Sequence, residues 1–187
     1  MSPEIDLCVS VLQNGGTILY PTDTIWGIGC DATNPVAVER VYRLKLRTET
    51  KSMIVLLADP GQLAGFVDPV PEVTRDLMQS IQKPLTIIYP GARNLASNVI
   101  AADGSVAIRI VRHAFCRDLI TAFGKPVVST SANLSGMPAP LTFREISTEI
   151  LSGVDYTVEE GRDTAGEVKP STIIRITGSG EFEIIRP

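Results

Sequence analysis

Residues 53–57, Met-Ile-Val-Leu-Leu, form an unbroken apolar run of strand length, and a run without polar alternation suits a sheet strand covered on both faces. Such a strand needs helices packed on the sheet that carries it. The surrounding sequence provides them. Ser2-Pro3-Glu4 reads as an N-cap followed by proline at the first helical position, with Ile5, Cys8, Val9 and Leu12 on one face and Gly15-Gly16 ending the helix. Asn34-Pro35 repeats the signal ahead of a stripe made by Ala37, Val38, Val41 and Tyr42.

Further helix starts are marked by Asp59-Pro60, by Pro71-Glu72 ahead of Val73, Leu77, Met78 and Ile81, and by His113 ahead of Phe115, Leu119, Ile120 and Phe123 with Gly124 closing. Another is expected from Thr142, where Thr142-x-x-Glu145 has the form of a capping box with Leu141 and Ile146 placed to staple it. Strands are expected over 17–20, 26–30, 53–57, 85–89, 106–111, 126–129, 171–176 and 182–186, the last two flanking a Gly-Ser-Gly turn. The alternation predicts an α/β fold with a mixed, largely covered sheet. No internal repeat or low-complexity tract breaks it, and the 187 residues are expected to form one domain over 1–187.

Composition narrows the function classes. Hydrophobic residues make up 44% and charged residues 20% of the chain, as in an ordinary globular protein. The formal net charge of −4 argues against a broad basic surface for gripping a duplex. Cys8, Cys30 and Cys116 are far apart and without a metal-ligand spacing, so they are expected to be core thiols, with no metal site built by the protein alone. No run approaches the roughly 20 apolar residues of a membrane span, and the first residues have neither a basic n-region nor an apolar h-region. A cytoplasmic protein without membrane contact is expected.

Five segments carry candidate chemistry. Pro21-Thr22-Asp23-Thr24 puts two hydroxyls and a carboxylate at a strand exit, where open α/β sheets bind ligands, although an Asx or ST turn would use the same residues. Lys45, Arg47 and Lys51 can converge on a polyanion or, with Glu49 among them, form a solvated charge run. Arg109, set within the apolar run 105–109, needs an anionic partner, either a structural Asp or Glu or a small-molecule carboxylate. The run 129–136, Ser-Thr-Ser-Ala-Asn-Leu-Ser-Gly, leaves a strand with hydroxyl and amide groups that suit phosphate and ribose oxygens, or a plain loop. Lys169-Pro170-Ser171-Thr172 repeats that chemistry, and Arg186 adds a late cation. His113, the only histidine, sits where it would cap a helix, and Trp26 is expected in the core. No Walker loop, dinucleotide fingerprint or nucleophile elbow is present.

In this order and spacing, Pro21 to Thr24 with Trp26-Gly27, Lys45-x-Arg47 with Lys51, Ser105 to Arg109 and Ser129 to Gly136 resemble the YrdC/TsaC family over nearly the whole chain. The resemblance implies a YrdC-like twisted mixed sheet flanked by helices, with a concave electropositive cavity. It implies synthesis of L-threonylcarbamoyl-AMP and pyrophosphate from L-threonine, bicarbonate and ATP with Mg²⁺. A downstream threonylcarbamoyl transferase complex would pass the group to tRNA, and a direct tRNA contact is left open. By the same resemblance Lys45, Arg47 and Lys51 are the catalytic cations on the ATP phosphates, and Thr24, Arg109 and Ser171 bind threonine. Ser105, Ser131, Asn133, Ala139 and Arg186 join the cations around the nucleotide.

Thr48 and Ser52 stand where relatives often carry proline, and Trp26 where tyrosine is common, which bears on loop shape. A chain of this length matches the short members, so a closing lid from an extra C-terminal domain is not expected. The competing reading is a non-catalytic RNA-binding or translation-accessory module using the same cavity. The acidic balance and the lack of interleaved aromatics count against it. Carbamoyl transfer in hydrogenase maturation uses a related domain within a much longer chain.

Overall fold

The computed structural model describes residues 2–46, 53–163, 170–177 and 180–187. Arg47, Lys51, Lys169 and the first two residues of the Gly-Ser-Gly turn lie outside the described residues, as do Thr48 and Ser52.

Among the described residues there are five α-helices, α1 (Pro3–Gln13), α2 (Pro35–Leu44), α3 (Val73–Ser80), α4 (Ala114–Phe123) and α5 (Thr148–Gly153). The sequence-level caps explain the first two: the Ser2 side chain accepts from the Glu4 N–H, and the Asn34 side chain from those of Val36 and Ala37. Gly124 closes α4 in the left-handed region at φ 73°, where a side chain would be strained. Asp59-Pro60 opens a 3₁₀ turn, Pro60–Gly65, held by a reciprocal capping box with Gln62.

The helix expected from Thr142 is a correction. Only a three-residue 3₁₀ turn forms there, Phe143–Glu145, and the Thr142 side chain caps nothing. The Glu145 carboxylate reaches one residue too far back, accepting the Leu141 N–H at 2.8 Å, so the reciprocal pair that would propagate a helix is never closed. The helix starts later, as α5. His113 does occupy the N-cap of α4, but its side chain makes no capping hydrogen bond.

The described residues also form nine strands, in chain order β1 (Ile18–Tyr20), β2 (Gly27–Gly29), β3 (Ile54–Leu57), β4 (Leu85–Tyr89), β5 (Val106–Ile110), β6 (Val127–Ser131), β7 (Tyr156–Thr157), β8 (Thr172–Ile176) and β9 (Phe182–Arg186). They make one mixed sheet ordered β7-β1-β2-β6-β3-β5-β4-β8-β9. The pairs β1/β7, β3/β5 and β4/β8 are parallel and the remainder antiparallel. The short β7 was not anticipated, because Tyr156-Thr157 has no length to signal alternation. As the apolar run over 53–57 required, β3 lies inside the sheet with Val55, Leu56 and Leu57 wholly buried.

Helices α1 and α4 pack on each other and against β1 and β3. Their stripes of Ile5, Cys8 and Leu12 and of Phe115, Leu119 and Ile120 are buried in one core with Ile28, Val55 and Ile108. All three cysteines are free and buried within that core. Burial, with the nearby Glu4 adding to it, pushes the Cys8 thiol up to about 12. Burial likewise raises Cys30 and Cys116, so all three stay protonated and serve as small apolar groups.

Candidate active site

Strand register decides which side chains share a face. Leu56 pairs with Arg109, Arg109 with Thr86, Thr86 with Ile173 and Ile173 with Arg186, forming one lateral row across five strands. Directly opposed residues point to the same side of a sheet. The neighbouring row runs from Gly27 opposite Ser131 on the β6 exit to Ser129, Ile54, Ala107 and Ile88. These two rows floor a cavity of about 550 Å³.

Arg186 joins its row because of an irregularity. The β8/β9 register runs Ile176 with Phe182, Arg175 with Glu183 and Ile174 with Ile184, then skips to Ile173 with Arg186. Ile185 is therefore an extra, bulged residue, and without it Arg186 would face the other side of the sheet. Nothing in the bare sequence signals this bulge.

Glycine is needed where β2 meets the cavity floor. A Cβ on Gly27 would lie 2.9 Å from the Ser129 hydroxyl oxygen, and one on Gly29 would lie 2.6 Å from the Tyr20 ring and 2.9 Å from the Val128 carbonyl oxygen. Close approach of β6 to β2 is what sets the Ser129 and Ser131 side chains against the cavity.

Arg109 is the most constrained group. Its side chain is 3% exposed, and its Nη2 lies 3.2 Å from Asp23 Oδ1. That contact has the distance of an ion pair but not the angles of a hydrogen bond, since Asp23 Oδ1 and Arg109 Nε are both buried without a hydrogen-bond partner. The geometric description is the more telling here, because an ion pair needs only proximity while a hydrogen bond needs direction. Asp23 is held by its other oxygen, which accepts the Arg112 N–H at 3.2 Å. The structural carboxylate and the open donor are thus both present. Arg109 has an acidic neighbour and still keeps unsatisfied hydrogen-bonding capacity at the cavity.

On the same side, Arg186 donates to the Ser171 carbonyl oxygen from Nε at 3.0 Å and Nη2 at 2.8 Å, and from Nη2 to the Ser171 hydroxyl at 3.3 Å. The Ser171 and Thr86 hydroxyls meet at 2.8 Å. Burial, and then the positive charge of Arg109, holds the Arg186 guanidinium below its ordinary value, so the two cations sense each other across the cavity.

The opposite side is built from a turn. Thr22 donates its hydroxyl to the Ile25 carbonyl oxygen at 2.7 Å and accepts the Thr24 N–H at 3.1 Å, which is the ST turn the sequence allowed. With the Thr22 proton committed, the 3.0 Å contact between the two hydroxyls must be donated by Thr24. Thr24 therefore offers the cavity an acceptor. Trp26, only 6% exposed and so in the core as expected, also lines the cavity. It packs on Phe143 at 4.9 Å between ring centroids, and the Arg162 guanidinium lies 4.9 Å over the far ring.

Of the expected site residues, Thr24, Arg109, Ser131, Ala139, Ser171 and Arg186 line this one cavity. Lys45, Ser105 and Asn133 are close in the fold but do not line it. The Lys45 ammonium donates to the carbonyl oxygens of Ser131 and Asn133. Ser105 gives its hydroxyl to Asp103 at 2.6 Å, and the Asn133 amide donates to the Met137 carbonyl oxygen at 2.6 Å. Arg47 and Lys51 lie outside the described residues. Sequence reasoning did not single out Ser129, Thr130 and Pro170 as lining groups, although all three belong to runs it had marked.

The Sua5_yciO_yrdC family model, described as "Telomere recombination", matches residues 10–187. The chain belongs to the Sua5/YciO/YrdC family. A relative from Pseudoalteromonas translucida named Threonylcarbamoyl-AMP synthase is 36% identical over 90% of this chain and 91% of its own. One of the same name from Vibrio parahaemolyticus is 32% identical over 92% and 96%. Among solved structures, P. abyssi Sua5 complexed with L-threonine superposes with a TM-score of 0.82 at 24% identity, covering 91% of this chain and 50% of that one. This family member thus spans about half the length of that Sua5 chain, and at this identity the likeness carries the fold. Its twisted mixed sheet with flanking helices is the architecture expected of the family.

Proposed function

We propose that this enzyme is a threonylcarbamoyl-AMP synthase, a nucleotidyltransferase that forms L-threonylcarbamoyl-AMP and pyrophosphate from L-threonine, bicarbonate and ATP. The observation that carries the reading is Arg109, a buried guanidinium with an unpartnered Nε that lines a cavity whose other polar lining groups are Arg186 and the hydroxyls of Thr24, Ser129, Thr130, Ser131 and Ser171. An unpaired buried donor costs about 1–3 kcal/mol, which a ligand carboxylate there would recover. Its relatives carry the matching name.

The chemistry fits such a cavity. The threonine amine attacks carbon dioxide, formed when bicarbonate takes up a proton and loses water, making the N–C bond of a carbamate and releasing a proton in turn. A carbamate oxygen then attacks the α-phosphorus of ATP, forming an O–P bond as the bond to the bridging oxygen breaks and pyrophosphate leaves. Neither step needs a protein nucleophile. Both need the reactants aligned and negative charge offset, which Arg109 and Arg186 supply from the floor and rim. Thr24, Arg109 and Ser171 are assigned to threonine, and Ser131, Ala139 and Arg186 to the nucleotide.

Mg²⁺ belongs to the ATP in this reading. Among the described residues no group of three His, Cys, Asp or Glu could hold a metal, and Asp23 is committed to Arg109 and the Arg112 amide. Mg²⁺ would ride on the triphosphate and lower its charge. The product is a reactive mixed anhydride, so a transferase acting on tRNA must consume it, which points to the cytoplasm. No helix among the described residues is long and apolar enough to cross a membrane.

The test incubates the purified protein with MgATP, bicarbonate and L-threonine, measuring pyrophosphate and the adenylate by mass spectrometry. Threonine-dependent release of both is expected. Pyrophosphate that ignores threonine, or tRNA binding with no release at all, would sink the proposal.

A further inference from the structure

Lys45 occupies a place that its expected role at the phosphates does not explain. The buried stripe of α2 is Ala37, Val38, Val41 and Tyr42, and Lys45 continues it at helical spacing, four residues after Val41. It is 2% exposed. As the C-cap of α2 it ends the helix, and Leu46 turns the chain away at φ 50°. Its side chain is thereby directed under the exit of β6.

There one residue makes three links to a five-residue stretch. The Lys45 ammonium donates to the Ser131 carbonyl oxygen, and to that of Asn133 at 2.6 Å. Its own carbonyl oxygen accepts the Ser135 N–H at 2.8 Å. The stretch is also closed from within, by the Asn133 N–H on the Ser131 carbonyl oxygen at 2.9 Å and by the Asn133 amide on the Leu134 and Met137 carbonyl oxygens at 3.1 and 2.6 Å. Lys45 joins this closed turn to a helix, and Ser131 and Ala139 on either side of the turn line the cavity.

We infer that Lys45 is a positioning residue that fixes the 131–135 turn, and with it the nucleoside-facing wall of the cavity, through carbonyl hydrogen bonds rather than as a ligand of phosphate. Two of the three ammonium donors are spent on these carbonyls, so turning the group onto a phosphate as its main ligand would loosen the wall on which the nucleotide rests. This inference depends on the reading that the cavity takes ATP, but it assigns Lys45 a role opposite to the one expected there.

The two roles separate with a nucleoside that has no phosphate. Calorimetry would compare adenosine and MgATP binding to the wild-type protein and to Lys45→Met, which keeps the chain length and removes the donors. Positioning predicts that both affinities fall by the same factor, about tenfold or more for the loss of charge-assisted hydrogen bonds, while threonine affinity stays within about twofold. A loss confined to ATP, with adenosine unchanged, would overturn the inference. Lys45→Gln adds a second comparison, since a neutral donor rescues a carbonyl clamp in part and cannot rescue a phosphate-binding charge. Should the Met variant not fold, Gln against wild type still decides: a parallel loss of affinity for the two ligands supports positioning, and a loss for ATP with adenosine unchanged refutes it.

Amide exchange is independent of any nucleotide. The amides of 131–137 are expected to exchange at least about tenfold faster in Lys45→Gln than in wild type, with α4 unaffected. Unaltered protection there would refute the inference. A wild-type protein that binds no nucleotide would instead refute the proposed function, and exchange would still judge Lys45.

Discussion

On the β4, β5, β8 and β9 side of the cavity, the groups that carry full charge stand in strand rows, whereas on the β2 and β6 side the groups are neutral and held by turns and main-chain carbonyls. Arg109, Thr86 and Arg186 hold positions set by strand register, and they are met by Asp23 from the loop after β1 and by Ser171 just ahead of β8. Across the cavity, Thr24 rests on Thr22 and Ser131 is steadied through its carbonyl. The first arrangement places full charges with little freedom. The second presents neutral hydroxyls, Thr24 with a partner two residues away and Ser131 on a turn tied to Lys45, and a turn can re-form around a change more readily than a strand row can. In the proposed reading threonine and the nucleotide would each draw on both sides, threonine through Arg109, Ser171 and Thr24 and the nucleotide through Arg186 and Ser131.

If the charged side governs threonine, Arg109→Ala should have the largest effect. The expected loss in kcat/KM for threonine is about 10²–10³-fold, corresponding to about 3–4 kcal/mol of transition-state stabilisation. Arg109→Lys should recover little, because an ammonium cannot reproduce the forked geometry. Leaving Asp23 buried without its cation should also lower stability, by up to about 3–5 kcal/mol, measurable by urea unfolding. Calorimetry should find threonine binding lost and ATP binding largely kept, and equal loss of both would break the assignment of Arg109 to threonine.

Ser171→Ala tests the same side without removing a charge. It breaks the hydroxyl contact with Thr86 and one of three bonds from Arg186, whose bonds to the Ser171 carbonyl remain. Thr86, wholly buried, is left without that partner. A drop of about tenfold in kcat/KM is expected, with a stability loss near 1–2 kcal/mol. An effect as large as that of Arg109→Ala would mean that the hydroxyl, not the guanidinium, organises this wall.

These two sides were unequally legible in the sequence. Arg109 could be found because a guanidinium in an apolar strand requires an anion, and register then had only to place it. The strands themselves were visible as apolar runs bounded by proline and glycine. Arg186 had no such mark, since its facing depends on the bulge at Ile185, and a register skip leaves no trace in residue types. The helix expected at Thr142 failed for a related reason. A capping box states which residues could bond, but not which amide Glu145 accepts once the segment is packed, and here it takes that of Leu141 beside a Phe143 that lies against Trp26. Lys45 was recognised as a cation, and the helical spacing that buries it was on the page, yet its acceptors are main-chain atoms some 90 residues away that no motif encodes.

The turn side gives the smallest expected effect. Thr24→Val keeps the shape of the side chain and removes an oxygen that donates to Thr22 and offers an acceptor to the cavity. Thr22 keeps its bonds to Ile25 and to the residue-24 amide, so the ST turn should survive and stability should change by less than about 0.5 kcal/mol. What is lost is one neutral hydrogen bond to the substrate, which predicts a rise of about three- to tenfold in KM for threonine with kcat nearly unchanged. Such a split would mark Thr24 as a group that binds ground state and transition state alike. A large fall in kcat would instead show that the turn oxygen takes part as charge develops, and the division between a charged strand side and a neutral turn side would no longer describe how this cavity works.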